Sequence, residues 1–338
     1  MRHATLPELR TLLIDRRRLE GDGHTSRSIR VAIDSGRLHV VRRGWFVPAD
    51  EWALLWPESR HRAEVLATAL SATTTEPVFS HLSAAVLWDL PLWRMQPRRV
   101  HVMVDRRHHR HSVPGILRHE GVLPDDDVAV IDGIRCTNLS RTVYDVIRTV
   151  RAEAALVAGD AALARIGGDP WAFDDDAAAA WTASLHARLR LPGARGIVAA
   201  RRIADLMDGR AQLPLESVTR YRLHQQGFSR MTLQRSVARP DGGLYWLDIA
   251  IDDARTFVEC DGKEKYTDPA LRGRRSMEQV LFDEKSREDW IRGTTGWRIV
   301  RVGSDDMRTA ESAAARFRAF GLLPGSPERP DRLAEPPP

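Results

Sequence analysis

The chain of 338 residues is 43% hydrophobic and 29% charged, which suits two or three folded domains and excludes a disordered polymer. A net charge of +5 leans toward a polyanionic partner, while two distant cysteines, Cys136 and Cys260, exclude a disulfide framework and a zinc knuckle. No apolar run approaches the roughly 20 residues of a membrane span, and the first residues lack the apolar core of a signal peptide. A cytoplasmic protein with no membrane partner is therefore expected.

In chain order, residues 6–19 have a helical pattern that breaks at Gly21-Asp-Gly. Thr25 is a good N-cap for a second helix with Ile29, Ala32 and Ile33 on its apolar stripe, and Gly36 stops it. A strand-like run from Leu38 follows, with a turn at Arg42-Arg43-Gly44. Helix, tight break, helix and basic hairpin are the order of a winged helix-turn-helix over residues 1–57. In that arrangement Thr25, Ser26, Arg27 and Arg30 lead the helix that enters the major groove of DNA, and Arg42 and Arg43 meet phosphate from the wing. The bland alternative is a small helical cap with solvated arginines.

Residues 58–166 read as a mixed α/β region: a helix over 59–71, a buried strand at 100–105, a strand pair over 128–136, a helix starting near Ser140 and an Ala-rich helix through Ala164. The tract Arg106-Arg-His-His-Arg-His111 is expected to be a solvated or phosphate-facing loop, because no Cys or paired carboxylates accompany it as metal partners. Ser80, His81 and Ser83 are read as helix-start and packing residues, since no orienting acid is placed beside them. Composition then shifts to Gly, Asp and Ala over 167–210, a helical linker, and the Pro-rich stretch 323–338 is expected to be a disordered tail.

Residues 211–322 read as helix (215–226, stopped by Gly227), three strands (231–238, 245–251, 256–261), helix (276–292), strand (297–302) and a last helix from Asp305, an α/β module. All three lysines of the chain, Lys263, Lys265 and Lys285, fall within it, whereas every other basic residue among 51 is arginine. A lysine ammonium is a compact point charge whose pKa shifts readily, which arginine does not offer, so these positions point to chemistry. Strand alternation sends Glu259, Asp261 and Lys263 to one face with Val258 and Cys260 behind, and the neighbouring strand brings Asp248 alongside. Converging carboxylates repel unless a divalent cation or a lysine neutralises them, and oxygen ligands suit magnesium or manganese. The bland alternative is a structural ion-pair network on a hairpin end.

Asp248, a short hairpin and then Glu259-Cys-Asp261-Gly-Lys263 resemble the signature of the PD-(D/E)xK nuclease superfamily, with a restriction-endonuclease-like core. The Glu-x-Asp-Gly strand end and the Glu284-Lys285-Ser-Arg287-Glu-Asp289 helix are similar to the branch related to very-short-patch-repair endonucleases. The resemblance implies metal binding by Asp248 and Asp261, with Glu259 or Glu216 assisting, and water positioning by Lys263. Lys265 and Lys285 are candidates to clamp phosphate, and Arg287 to reach DNA or pair with Glu284. The histidine that many relatives carry after the Asp-Gly pair is replaced by Lys263-Glu-Lys265-Tyr266, so no histidine general base is expected. A nucleotidyltransferase is excluded because the Gly-Ser and Asp-x-Asp pattern it needs is missing.

The front half, through the Thr25 helix, Arg-Arg-Gly-Trp-Phe-Val and Val78-Phe-Ser-His-Leu-Ser-Ala-Ala, resembles AbiEi-type antitoxins. That resemblance implies transcriptional autoregulation or antagonism of a cognate toxin. Two functions follow as expectations. One is a DNA-binding, magnesium-dependent endonuclease without a small-molecule cofactor; the alternative is an antitoxin or regulator built on a nuclease fold that no longer cuts.

Overall fold

A computed structural model of the chain describes residues 1–73, 76–104, 113–191, 195–261 and 277–323. The basic tract at 106–111, Lys263, Lys265 and tail residues 324–338 lie outside the described residues. The fold is mixed α/β, and among the described residues no helix is long and apolar enough to cross a membrane. The chain divides into two compact units: residues 1–162 with 179–207, and residues 163–178 with 208–338.

The first unit opens with α1 (Leu6–Leu12), the two-residue strand β1 (Ile14–Asp15), α2 (Arg16–Gly21), α3 (Ser26–Asp34), β2 (Leu38–Arg42) and β3 (Trp45–Pro48). The single helix expected over 6–19 is thus two helices. Leu13 is extended, and the Asp15 carboxylate accepts the Arg18 N–H at 2.7 Å, capping a new helix instead of continuing the old one. The break lets Ile14 pair with Phe46 in a three-stranded sheet of order β1-β3-β2, and pack with Leu19, Ile29 and Phe46. Thr25 caps α3 as expected, its Oγ1 accepting the Ser28 N–H at 3.1 Å.

After α4 (Ala49–Leu54), α5 (Pro57–Leu70) packs against β2 and α6 (His81–Leu87). A second sheet has the order β6-β5-β4-β8-β7, built from β4 (Val78–Phe79), β5 (Val100–Val104), β6 (Ile116–Glu120), β7 (Val128–Ile131) and β8 (Ile134–Thr137). It is mixed: β5 and β6 run parallel, as do β4 and β8. The next helix, α7 (Leu139–Thr149), is capped by Asn138, whose side chain accepts the Arg141 N–H, rather than by Ser140.

The expected linker is helical but not a mere spacer. Helices α8 (Ala152–Gly167) and α9 (Asp175–Leu189) each contribute to both units, and α9 buries Leu185 and Leu189 completely. In the first unit, α10 (Ile197–Ala204) buries Ala200, Ile203 and Ala204.

The second unit contains α11 (Pro214–Gln225), β9 (Met231–Ala238), β10 (Leu244–Ile251), β11 (Thr256–Cys260), α12 (Met277–Thr295), β12 (Arg298–Val302) and α13 (Ala310–Ala319). Helix α11 stops where Gly227 turns to φ +96°. The final helix begins at Ala310, not Asp305, because the Thr309 side chain caps it through the Ser312 N–H. The sheet order is β12-β11-β10-β9, antiparallel except for the parallel β11/β12 pair. Phe257, Leu247, Ala250 and Ile299 pack with Ile291 of α12 on one face. Each such large side chain contributes roughly 1.5–3 kcal/mol when fully buried. Cys260 faces the other way and donates its thiol to Thr219 Oγ1 of α11 at 3.4 Å.

Candidate functional site

The acids of the second unit are positioned by a local break in the β10 pleat. Leu247 and Ala250 share one core cluster although they stand three positions apart, so the alternation of side chains must slip once between them. The slip falls at Asp248. The regular β9/β10 partners skip Asp248 and Gln234, and Gln234 has φ +48°, a conformation costly for a non-glycine residue. One residue is skipped on each strand and the register resumes unchanged, so the break is a paired local distortion of the two strands rather than an inserted residue. Asp248 Oδ2 accepts the Cys260 N–H at 2.7 Å, tying β10 to the end of β11. Behind the sheet, Glu216 of α11 is 2% exposed, and its Oε2 accepts from the Gln234 side-chain amide at 3.1 Å and the Gln212 N–H at 3.0 Å. Burial, reinforced by the charge of Asp248, pushes the Cys260 thiol well above its ordinary range.

Glu259 and Asp261 project to the α12 face, as strand alternation requires, and there each meets an arginine. Arg287 of α12 donates to Glu259 Oε1 at 2.9 Å and to the Trp246 carbonyl at 2.9 Å. Arg301 of β12 donates to Asp261 Oδ2 at 3.1 Å and to Glu284 Oε1 at 2.6 Å. Burial works against the Arg301 charge, but the Glu284 bond and the charges of Glu284, Asp261 and Glu288 outweigh it and raise its pKa above the usual value. Arg287, read from the sequence as reaching DNA or pairing with Glu284, is instead held by Glu259, while Glu284 is taken by Arg301. Lys285 is exposed on α12, and Lys263 and Lys265 lie outside the described residues. Among the described residues, Asp248, Glu259 and Asp261 are not a trio whose ligand atoms converge within 4.8 Å.

In the first unit, Arg27 is exposed on the leading turn of α3 and Arg43 is exposed at the β2/β3 turn, beside Gly44 at φ +82°. Ser26 Oγ accepts from Arg16 at 2.9 Å, and Arg30 pairs with Asp34 at 3.3 Å in solvent, where such a pair stabilises little. Arg42, expected on the wing with Arg43, turns inward instead: it donates to Thr68 Oγ1 of α5 at 3.3 Å, and burial lowers its pKa.

A second cluster was not found by reading the sequence. His81, His101 and His119 offer ligand nitrogens that all lie within 4.8 Å of one another. His101 and His119 come from the parallel β5/β6 pair, whose register sets His119 beside Met103, two residues along from His101 on the same face. Their Nδ1 and Nε2 atoms are 3.0 Å apart. His81, at the start of α6 with φ +50°, stacks on His119 at 3.6 Å between centroids. Burial first, then neighbouring imidazoles and arginines for His81 and His101 and arginines alone for His119, lower the pKa values of His81, His101 and His119 to about 2, 3 and 4. His81 and His119 line a cavity of about 240 Å3 whose wall includes Arg141, Asp145 and Arg148. Asp145 is 1% exposed and accepts from Arg141 at 3.0 Å and Arg148 at 3.2 Å. The intervals of 20 and 18 residues between these histidines carry no motif, because only strand register unites them.

No family model matches the chain. Two proteins of Mycobacterium tuberculosis, from different strains and each described as uncharacterized, are 28% identical to it over 179 residues. The match covers 53% of this chain and 58% of each relative, so the chain spans little more than half the length of the curated relatives it matches.

Proposed function

We propose that this is a DNA-binding protein whose second unit is a magnesium-dependent, endonuclease-like domain that hydrolyses DNA phosphodiesters. The observation that carries the reading is the bond from the Cys260 N–H to Asp248, which ties Asp248 of β10 to the end of the adjacent strand that bears Glu259 and Asp261, with Glu216 on α11; the carboxylates would have to close on an ion to share it. The helix, three-strand meander, helix, strand, helix order around them supports it, as does the confinement of every lysine to residues 263–285.

The donor set is all carboxylate oxygen, which fits magnesium or manganese. In this reading Asp248 and Asp261, with Glu259 or Glu216, hold the cation, which supplies Lewis-acid and water-activating chemistry when bound. Metal binding by Glu259 and Asp261 would displace Arg287 and Arg301 from these two carboxylates, and their guanidinium charges would then be available to phosphate. Lys263 orients the attacking water and meets the charge developing on phosphorus, and Lys265 and Lys285 steady flanking phosphates. Support for DNA contact through the first unit comes from the order α1-β1-α2-α3-β2-β3, that of a winged helix, and from exposed Arg27 and Arg43 at the two places such a fold presents to the groove and the backbone.

A second reading, an AbiEi-like antitoxin or regulator with a silent nuclease fold and a cognate toxin, is favoured by one observation. Glu259 and Asp261 already have arginine partners, which neutralises the acids without an ion. Incubation of wild type, Asp248→Ala and Lys263→Ala proteins with supercoiled, linear, single-stranded and mismatched DNA, with magnesium, manganese or chelator, separates the two. Cleavage by wild type alone, abolished by chelator, is expected of the nuclease. DNA binding without cleavage on every substrate selects the regulator, and cleavage retained in both variants removes the site assignment. Loss of affinity and a shallower salt dependence are expected of Arg27→Ala/Arg43→Ala; an unchanged salt slope would refute the winged-helix contact.

A further inference from the structure

We propose that His81, His101 and His119 form a zinc site in the first unit, with a fourth coordination position open to the arginine-walled cavity beside them. It is independent of the acidic strand end of the second unit and does not rest on the nuclease reading.

The geometry is close to what the ion needs. Zinc–imidazole bonds of about 2.0–2.1 Å at a tetrahedral angle separate two ligand nitrogens by about 3.3 Å. His101 Nδ1 and His119 Nε2 stand 3.0 Å apart, so an entering ion has to spread them by only about 0.3 Å. Without an ion, one of these nitrogens must carry a proton to make their hydrogen bond; with an ion, both turn their lone pairs inward and move their protons to the far ring nitrogens. The third ligand has further to move: His81 stacks on His119 at 3.6 Å with 15° between the rings, so its ring has to turn out of the stack for its lone pair to reach an ion held by His119. Ser80 Oγ engages His81 Nδ1 at 3.0 Å, which leaves Nε2 for metal.

The supporting shell continues outward. Ser83 Oγ accepts the His101 backbone N–H at 2.8 Å and meets His61 Nε2 at 2.9 Å, and His61 Nδ1 meets Glu64 Oε2 at 3.0 Å. Such outer partners fix the orientation of metal-binding residues. The left-handed backbone of His81 is a further sign, because a strained residue that aims its ring into a cluster needs a compensating interaction.

Arg141 and Arg148 bring positive charge near the site, but Asp145 accepts from both. Three neutral imidazoles with an open position suit zinc, whereas magnesium and calcium prefer oxygen ligands. The guanidinium groups make water, hydroxide or an oxyanion the natural fourth ligand.

The test uses the full-length, metal-stripped protein titrated with cobalt(II) as a spectroscopic probe, followed by displacement with zinc. One equivalent per chain with the visible bands of four-coordinate cobalt is expected. His101→Gln and His119→Gln should each weaken binding at least about tenfold, while His108→Ala/His109→Ala/His111→Ala should retain it. Zinc should also raise the Tm of wild type reversibly with chelator, so the proposal can be judged even where a histidine variant folds poorly. It is overturned if wild type gives neither a four-coordinate cobalt signal nor a zinc-dependent Tm. It is equally overturned if the signal survives both single variants or vanishes in the triple variant.

Discussion

Replacing Arg287 by alanine strands the Glu259 carboxylate in a place water scarcely reaches. The two side chains are 22% and 10% exposed and meet at 2.9 Å. At an effective dielectric near 20 their attraction is about 6 kcal/mol before desolvation is subtracted. Removing one partner of such a pair costs about 3–5 kcal/mol, because the other charge stays buried. The lost hydrogen bond to the Trp246 carbonyl adds about 1 kcal/mol. Arg287→Ala is therefore expected to destabilise the second unit by about 4 kcal/mol, and Glu259→Gln, which keeps an acceptor, by only about 1–2 kcal/mol. The double variant should fall short of the sum by at least about 1 kcal/mol. Urea unfolding at constant protein concentration, with magnesium and with chelator, measures all of this. In the nuclease reading magnesium takes the place of the guanidinium, so it restores part of the stability of Arg287→Ala and none to Arg287→Ala/Glu259→Gln. An Arg287→Ala protein within about 0.5 kcal/mol of wild type, or single costs that simply add, would refute the argument.

Three further outcomes are expected. Gly196→Ala should destabilise the first unit by at least about 2 kcal/mol in thermal or urea unfolding, because Gly196 has φ +80° and an added Cβ would overlap the Arg148 carbonyl oxygen. Asp127, 4% exposed, accepts from Arg188 at 2.6 Å and Arg141 at 3.1 Å, so Asp127→Ala should cost about 3 kcal/mol and Asp127→Asn less. Burial opposes its charge, yet the two arginines hold its pKa below the ordinary 3.8; its contribution is therefore complete above that pH and disappears as pH falls through the lower folded value, a loss Asp127→Asn should not show in acid melts. Native Cys136 and Cys260 should resist a thiol reagent at pH 8 and react on unfolding, since burial pushes Cys136 up to about 12 and Cys260 well above its usual value.

What the sequence revealed follows the range of the forces involved. Local signals were reliable: Thr25 caps α3, Gly227 stops α11, and β9 spans the expected 231–238. Alternation correctly separated Glu259 and Asp261 from Cys260. The failures were of two kinds. Where a short break competes with helical propensity, as at Leu13–Asp15, tertiary pairing with β3 decides, and no local window contains that partner. Where a site depends on strand register, as for His81, His101 and His119, proximity arises between residues whose spacing carries no period. The arginine partners of Glu259 and Asp261 belong to the same class, because Arg287 and Arg301 arrive from a helix and a parallel strand 28 and 40 residues away.

The interleaving of the two units along the sequence has a consequence for handling the chain. With one unit formed by 1–162 and 179–207 and the other by 163–178 and 208–338, the polypeptide passes from one to the other three times. No single cut in the sequence therefore separates the two units. A truncated protein starting at residue 211 would leave residues 163–178 behind, and with them Trp171, whose ring lies 5.9 Å from Trp246 in the second unit. A single backbone cleavage at any one crossing gives two fragments that separate in a denaturing gel, yet every such cut divides at least one unit, so the fragments are expected to stay associated in native solution through that unit's internal contacts.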